Sequence, residues 1–327
     1  MTLVLVRKLL RDVRWGLFAV CLLLFVFSAF WVKIAQRVTT EIAPFFNGVA
    51  AVSKINPKLF DEVIFKGPGK VSQAVLGGAE IRFDRPDDFL SVELLHPVVV
   101  IVTALWAVSR SSGAVAGEID RGTMELLLSQ PIPRNRLILA HLIVDAVTIP
   151  ALVLSIVAGT QLGLALIGPF EVDYSVLQKL DLPPMVRLPA GPPVLEVHAA
   201  RQWYAVVNLA ALVFALSGTT MLVSALGRNR WRAVAAAGLI VIGMFVANVI
   251  GQLWDSAAFV RPVTVFYYYQ PQKIWLKENW TVDLGEAWAG GSPMVEIPVM
   301  PVLIGVGAIG YLLALRVFDR RDLPAPL

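Results

Sequence analysis

Gly117-Glu-Ile-Asp-Arg-Gly-Thr-Met-Glu-Leu-Leu-Leu-Ser-Gln-Pro-Ile-Pro-Arg134 is a charged, closely patterned run set between two long apolar stretches. Charges at this density cannot sit in hydrocarbon, so the run must emerge from a membrane and turn back. Asp120 is placed to cap a short helix, and Met124, Leu126 and Leu127 supply apolar contact. Pro131 ends the turn. The stretch reads as a short amphipathic peg joining two membrane-spanning helices.

Composition agrees with that reading. Hydrophobic residues make up 57% of the 327 residues and charged residues 16%, against about 25% charged in a soluble domain. The apolar content lies in blocks, and a span needs about 20 mostly apolar residues. Six blocks qualify: 15–35, 94–116, 137–167, 204–226, 233–253 and 298–317. The second ends in Ser109, Arg110, Ser111, Ser112 and Gly113, so it spans only if that polar end packs against protein or reaches the interface. The third is long and contains Pro150, a kink site, with Gly159 and Gly163 spaced for close helix packing. The expected fold is an all-α integral membrane protein with six transmembrane helices.

Arg7, Lys8, Arg11 and Arg14 precede the first block. Its length exceeds the roughly 7–15 residues of a signal-peptide core and no small-x-small cleavage site follows, so it is read as a retained span. Residues 1–14 alternate apolar residues with Arg and Lys, as expected of an interfacial elbow helix.

Basic residues set the orientation. With both termini cytoplasmic, the inner segments 1–14, 109–136, 227–232 and 316–327 carry 14 Lys and Arg in 60 residues. The outer segments 33–94, 168–203 and 254–298 carry the other 14 in 143 residues. Basic density is therefore more than twofold higher inside, and the 117–136 loop is expected in the cytoplasm. Outside, an insertion at 36–94 is long enough for a small cap, and the Pro-rich 168–203 loop is expected to be extended. The 254–298 loop concentrates Phe266, Tyr267, Tyr268, Tyr269, Trp275, Trp280 and Trp288, which points to interfacial or re-entrant helices, or to an aromatic platform for sugar or lipid.

Catalytic chemistry has little footing. Gly69-Lys70 is followed by Val71 and position 64 is Ile, so no phosphate-cradling loop is formed there. His96, His141 and His198 are widely separated and Cys21 is a single cysteine inside the first block, so no metal site is expected. Polar groups inside the spans are the remaining candidates: Arg110, Asp145, Asn208 and Asn248. Arg110 and Asp145 are expected to pair with each other or to reach toward the interface, and the two asparagines to hydrogen-bond between helices. Gly238, Gly243, Gly305, Gly307 and Gly310 are expected at tight helix contacts.

The opening stretch resembles the cytoplasmic coupling loop of ABC-2 family transporter permeases. Glu118, Gly122-Thr123, Glu125, Leu127-Leu128, Pro131 and Arg134 match that family's E-x-x-x-G-T-x-E-x-L-L-x-x-P-x-x-R run in type and spacing. The tail from Leu315 to Pro324, an aromatic followed by basic residues and Asp-Leu-Pro, is similar to the way many of these permeases leave their last span. The resemblance implies a multi-pass subunit of the cell inner or plasma membrane, with a second copy of this chain or a related permease. It also implies a separate ATP-binding subunit, which would hold ATP and Mg, no cofactor being expected in this chain. Glu118 and Glu125 would meet basic groups on that subunit, Leu127 would enter a groove, and Gly122 would permit close approach. Thr123, Pro131 and Arg134 complete the set. ATP-driven export is the function implied. Alternatives are a mechanical transmitter acting on an extracytoplasmic protein, or an ATP-independent channel or carrier. The enlarged loop after the first span departs from the smallest drug and polysaccharide permeases, so their substrates do not transfer. Membrane lipids are expected partners and nucleic acid is not.

Overall fold

The computed structural model describes residues 2–45, 82, 85–124, 126, 129, 133–175, 193–288 and 295–321. Among these, six helices are long and apolar enough to cross a membrane. The first, α1, runs Thr2–Arg37 as one helix of 36 residues, about 54 Å at 1.5 Å per residue. No proline interrupts it, and its one glycine, Gly16, rests against Trp106. The expected elbow is therefore not a separate helix: residues 2–14 are the opening turns of α1, and its basic residues ride on a continuous rod.

Short α2 (Pro86–Ser91) leads through a 3-10 turn, Val92–Leu95, into α3 (Pro97–Ser112). Pro97 cannot continue a helix from its N-terminal side, so His96 turns extended and caps α3 by accepting from Val98 N. The polar end of α3 is accommodated by burial, with Arg110, Ser111 and Ser112 inside the protein. A single-turn helix, α4 (Ala116–Asp120), starts the charged stretch, and α5 (Asn135–Ile167) follows it. Pro150 lies within α5 without dividing it into two elements.

The central helix is α6 (Gln202–Leu226), apolar on all sides and buried on nearly all of them. It packs against α3, α5, α7 (Arg230–Leu253) and α10 (Val299–Arg320). Two close helix contacts rest on glycine. On α5, a Cβ at Gly159 would lie 2.2 Å from the Phe25 carbonyl oxygen of α1. On α6, a Cβ at Gly218 would lie 2.2 Å from the Gly307 carbonyl oxygen of α10, and one at Gly310 would meet Gly218. Gly238, Gly243 and Gly305 depart from expectation, since nothing lies within 4 Å of a Cβ at any of them.

At the bundle end opposite α4, Phe170–Glu171 pairs antiparallel with Val194–Leu195 as β1 and β2. Thr281–Asp283 pairs likewise with Glu296–Pro298 as β3 and β4. The insertion from 46 to 81 and most of the Pro-rich loop, 176–192, lie outside the described residues. The aromatic concentration folds inward rather than forming a platform. Tyr267, Tyr268, Tyr269 and Trp275 are buried, and the Tyr hydroxyls donate to the carbonyl oxygens of Asp283, Pro262 and Leu94 respectively. A 3-10 turn at Val265–Tyr268 and short α8 (Pro271–Lys277) carry these rings back against the bundle. Short α9 (Gly285–Trp288) follows; the side chain of Trp288 lies outside the described residues.

Candidate functional site

The charged stretch is fastened to the bundle at several points, mostly through side-chain to backbone hydrogen bonds. Ser224, near the end of α6, donates to Ser112 O at 2.8 Å and accepts from Val115 N and Ala116 N at 3.1 Å each. One hydroxyl thus serves the end of α3 and the start of α4, whose first amides have no partner within their own helix. Asn229 does a similar double duty. Its Oδ1 caps α7 by accepting from Arg232 N at 3.1 Å, while its Nδ2 donates to Asp120 Oδ1 at 2.8 Å. Asp120 closes α4 and bonds across to α7, rather than capping its own helix as the sequence suggested.

Within the stretch, Glu118 turns its carboxylate inward on the loop. It accepts from the Arg121 guanidinium and from the Thr123 hydroxyl, and Thr123 N donates to Glu118 O at 3.0 Å. Gly122 sits between them at φ 68°, the left-handed region that glycine tolerates without strain. Glu118 therefore shapes the turn, with its side chain 17% exposed. Met124 is buried among Val115, Leu137, Met221 and Phe318. Leu126 faces out at 70% exposed, with Ser129 beside it donating to Leu126 O. Glu125, Leu127, Leu128 and Pro131 lie outside the described residues.

The far end of the stretch is tied down by a relay. Arg134 donates to Arg321 O at 2.7 Å. The Arg321 guanidinium donates in turn to Ala225 O at 2.6 Å and Gly227 O at 2.8 Å, meeting carbonyls left open at the end of α6. Beside α4, at the start of the stretch, a cavity of about 580 Å³ opens among Lys8, Asp12, Arg110, Glu118, Arg121 and Arg230.

Arg110 and Asp145 do pair. The guanidinium of Arg110 on α3 meets the carboxylate of Asp145 on α5, with both side chains almost wholly buried. Arg110 also donates to His141 O at 3.0 Å and lies 3.2 Å from His141 Nδ1. Tyr311 on α10 donates to Asp145. Three spans thus meet in one charge-assisted cluster, close to the α4 end.

Asn208 on α6 grips the returning aromatic segment, donating to Tyr268 O at 3.2 Å and accepting from Gln270 N at 2.8 Å. It also donates to Met300 Sδ on α10 at 3.8 Å, so it reaches another span as well as the turn. Asn248 is buried on α7, its Oδ1 has no partner, and it borders an apolar cavity of about 530 Å³ between α3 and α7.

Ser224, Asn229, Tyr311 and Arg321 were not legible as site residues. Only Asn229 left a local signal, as a capping residue type just before an apolar helix. The rest are set by tertiary contacts more than 80 residues apart along the chain.

Six apolar helices with a charged turn fastened at one end define a multi-pass all-α membrane protein. The chain matches the family described as ABC-2 family transporter protein across residues 6–323, and it belongs to that family. It is the membrane subunit of an ABC transporter rather than an enzyme, and membership implies an ABC ATP-binding subunit as partner. No curated protein matches the chain.

Proposed function

We propose that this chain is the permease subunit of an ATP-driven exporter, working as a dimer with two copies of a separate ATP-binding subunit. The observation that carries the reading is the fastening of α4 to α6 and α7 by Ser224 and Asn229, together with the Arg134–Arg321 relay. A push on the exposed rim around Leu126 would not be absorbed by a loose loop. It would move the ends of α3, α6 and α7 together, because Ser224 ties α3 and α6 to α4 and the Asn229–Asp120 bond ties α7 to it. The Arg110–Asp145–Tyr311 cluster extends that connection into α5 and α10, so the bundle would shift between two packed arrangements rather than deform locally.

Basic density supports placing this end in the cytoplasm, where the ATP-binding subunit works. Export and the two-copy arrangement follow the family pattern. Glu125 and Leu127 are the proposed contacts on the partner, while Glu118, Gly122 and Thr123 hold the shape that presents them. The test is purification of the chain from its native membrane in mild detergent, with mass spectrometry of what accompanies it. A stoichiometric ATP-binding subunit is expected. Recovery of the chain alone, even after cross-linking at residues 118–136, would overturn the reading.

A further inference from the structure

Far from the coupling end, the 3-10 turn Val92–Leu95 carries Glu93 into the middle of the bundle. The break exists because Pro97 forces His96 out of helical geometry. Glu93 is fully buried, as are Ser28 on α1, Thr160 on α5 and Gln202 on α6. Thr160 Oγ1 bonds to Glu93 Oε2 at 3.1 Å and accepts from Gln202 Nε2 at 2.7 Å. The Ser28 hydroxyl lies beside the carboxyl.

Gln202 Oε1 has no hydrogen-bond partner, and Ser28 Oγ and Glu93 Oε1 have none of good geometry, although the Ser28 hydroxyl is within reach of the carboxyl. Among the described residues no Lys, Arg or His forms an ion pair with Glu93. Tyr269 does not fill that role. Burial first, and Glu93 second, push its hydroxyl well above the usual tyrosine range, and it donates to Leu94 O. Each orphaned oxygen costs about 1–3 kcal/mol, and ionising a carboxyl buried without a cationic partner costs several kcal/mol more.

One hard cation relieves both costs. We propose that Ser28, Glu93, Thr160 and Gln202 form a binding site for a single desolvated alkali cation. The donors are all oxygen, which suits a hard ion and gives soft metals no nitrogen or sulfur. One carboxylate among neutral donors neutralises a charge of one, whereas a divalent ion would leave a net positive charge buried. Placement at an interrupted helix follows the same logic as other intramembrane ion sites, where broken helices present polar groups inside a bundle. The site does not depend on the coupling mechanism, since it lies at the other end of the spans.

The test is equilibrium binding of 22Na+ and 86Rb+ to the full purified chain in detergent, with choline chloride holding ionic strength constant. Saturable binding of one of the two ions, one per chain, is expected. Glu93→Gln keeps the size and a hydrogen-bonding oxygen, and should weaken binding at least tenfold; Ser28→Ala should weaken it less. Absence of saturable binding by the wild type, or equal binding by Glu93→Gln, would overturn the site. Because no ATP-binding subunit is present, neither result bears on the coupling proposal.

Discussion

Ser224 on α6 and Ala116 on α4 are joined by a hydrogen bond of 3.1 Å from the Ala116 amide to the Ser224 hydroxyl, and the same oxygen receives the Val115 amide and donates to Ser112 O. One side chain of the central helix thus holds the corner from which the charged stretch departs.

Replacing Ser224 by alanine removes all three bonds while leaving two buried amides behind. Each unsatisfied group costs about 1–3 kcal/mol, so the corner should loosen before the bundle unfolds. Backbone amide exchange at residues 113–120 should accelerate markedly, with protection in the middle of α6 unchanged. Equal acceleration throughout α6 would show that Ser224 supports the helix rather than the corner.

Glu118 and Thr123 act through one turn, so their effects should not add. Glu118→Ala and Thr123→Ala should each lower ATP hydrolysis by the co-purified complex, and the double variant should be no worse than the more damaging single one. Additive losses would place Glu118 on the partner surface instead.

The Arg110–Asp145 pair is buried among apolar helices, where loss of one charge strands the other. Arg110→Leu or Asp145→Leu alone should destabilise the protein by about 3–5 kcal/mol, and the double variant by much less. Thermal unfolding in detergent reads this directly. Two single losses that simply sum would mean that each residue is held by neighbours other than its partner.

Glycines that look alike in sequence should separate sharply. Gly218→Ala forces a Cβ into the α10 backbone at 2.2 Å and should cost at least about 1–3 kcal/mol. Gly238→Ala meets nothing within 4 Å and should be neutral or gain up to about 1 kcal/mol in helix propensity. Matching losses would mean that α7 is covered at Gly238.

The six spans were legible because a membrane helix is a local property: about twenty apolar residues announce themselves without tertiary information. The spacing of Gly159 and Gly163 was legible as a helix-packing signal, and burial of the polar end of α3 was one of the two outcomes its residues allowed. That residues 2–14 form one helix with the first span was not legible, because nothing local says that an amphipathic basic segment continues into the span unbroken. The burial of the aromatic run was not legible, because Tyr and Trp favour both interfaces and buried sites where their polar atoms find partners. Glu118 was recognisable as part of a motif, but its inward hydrogen bonds to Arg121 and Thr123 depend on the left-handed turn at Gly122. The Ser28, Glu93, Thr160 and Gln202 cluster left no trace in sequence, since its members sit on separate elements and their spacing carries no period.

Leu126 is an exposed apolar side chain on the charged stretch, where the ATP-binding subunit is proposed to dock. A photoreactive phenylalanine analogue at this position, irradiated in the native membrane, should yield an adduct with an ATP-binding subunit. The same analogue at Asn279, beside β3 at the other end of the bundle, should not. An adduct with an ATP-binding subunit from Asn279 and none from Leu126 would contradict the account, because the partner would then dock on the end that carries none of the fastenings at Ser224, Asn229 and Arg321.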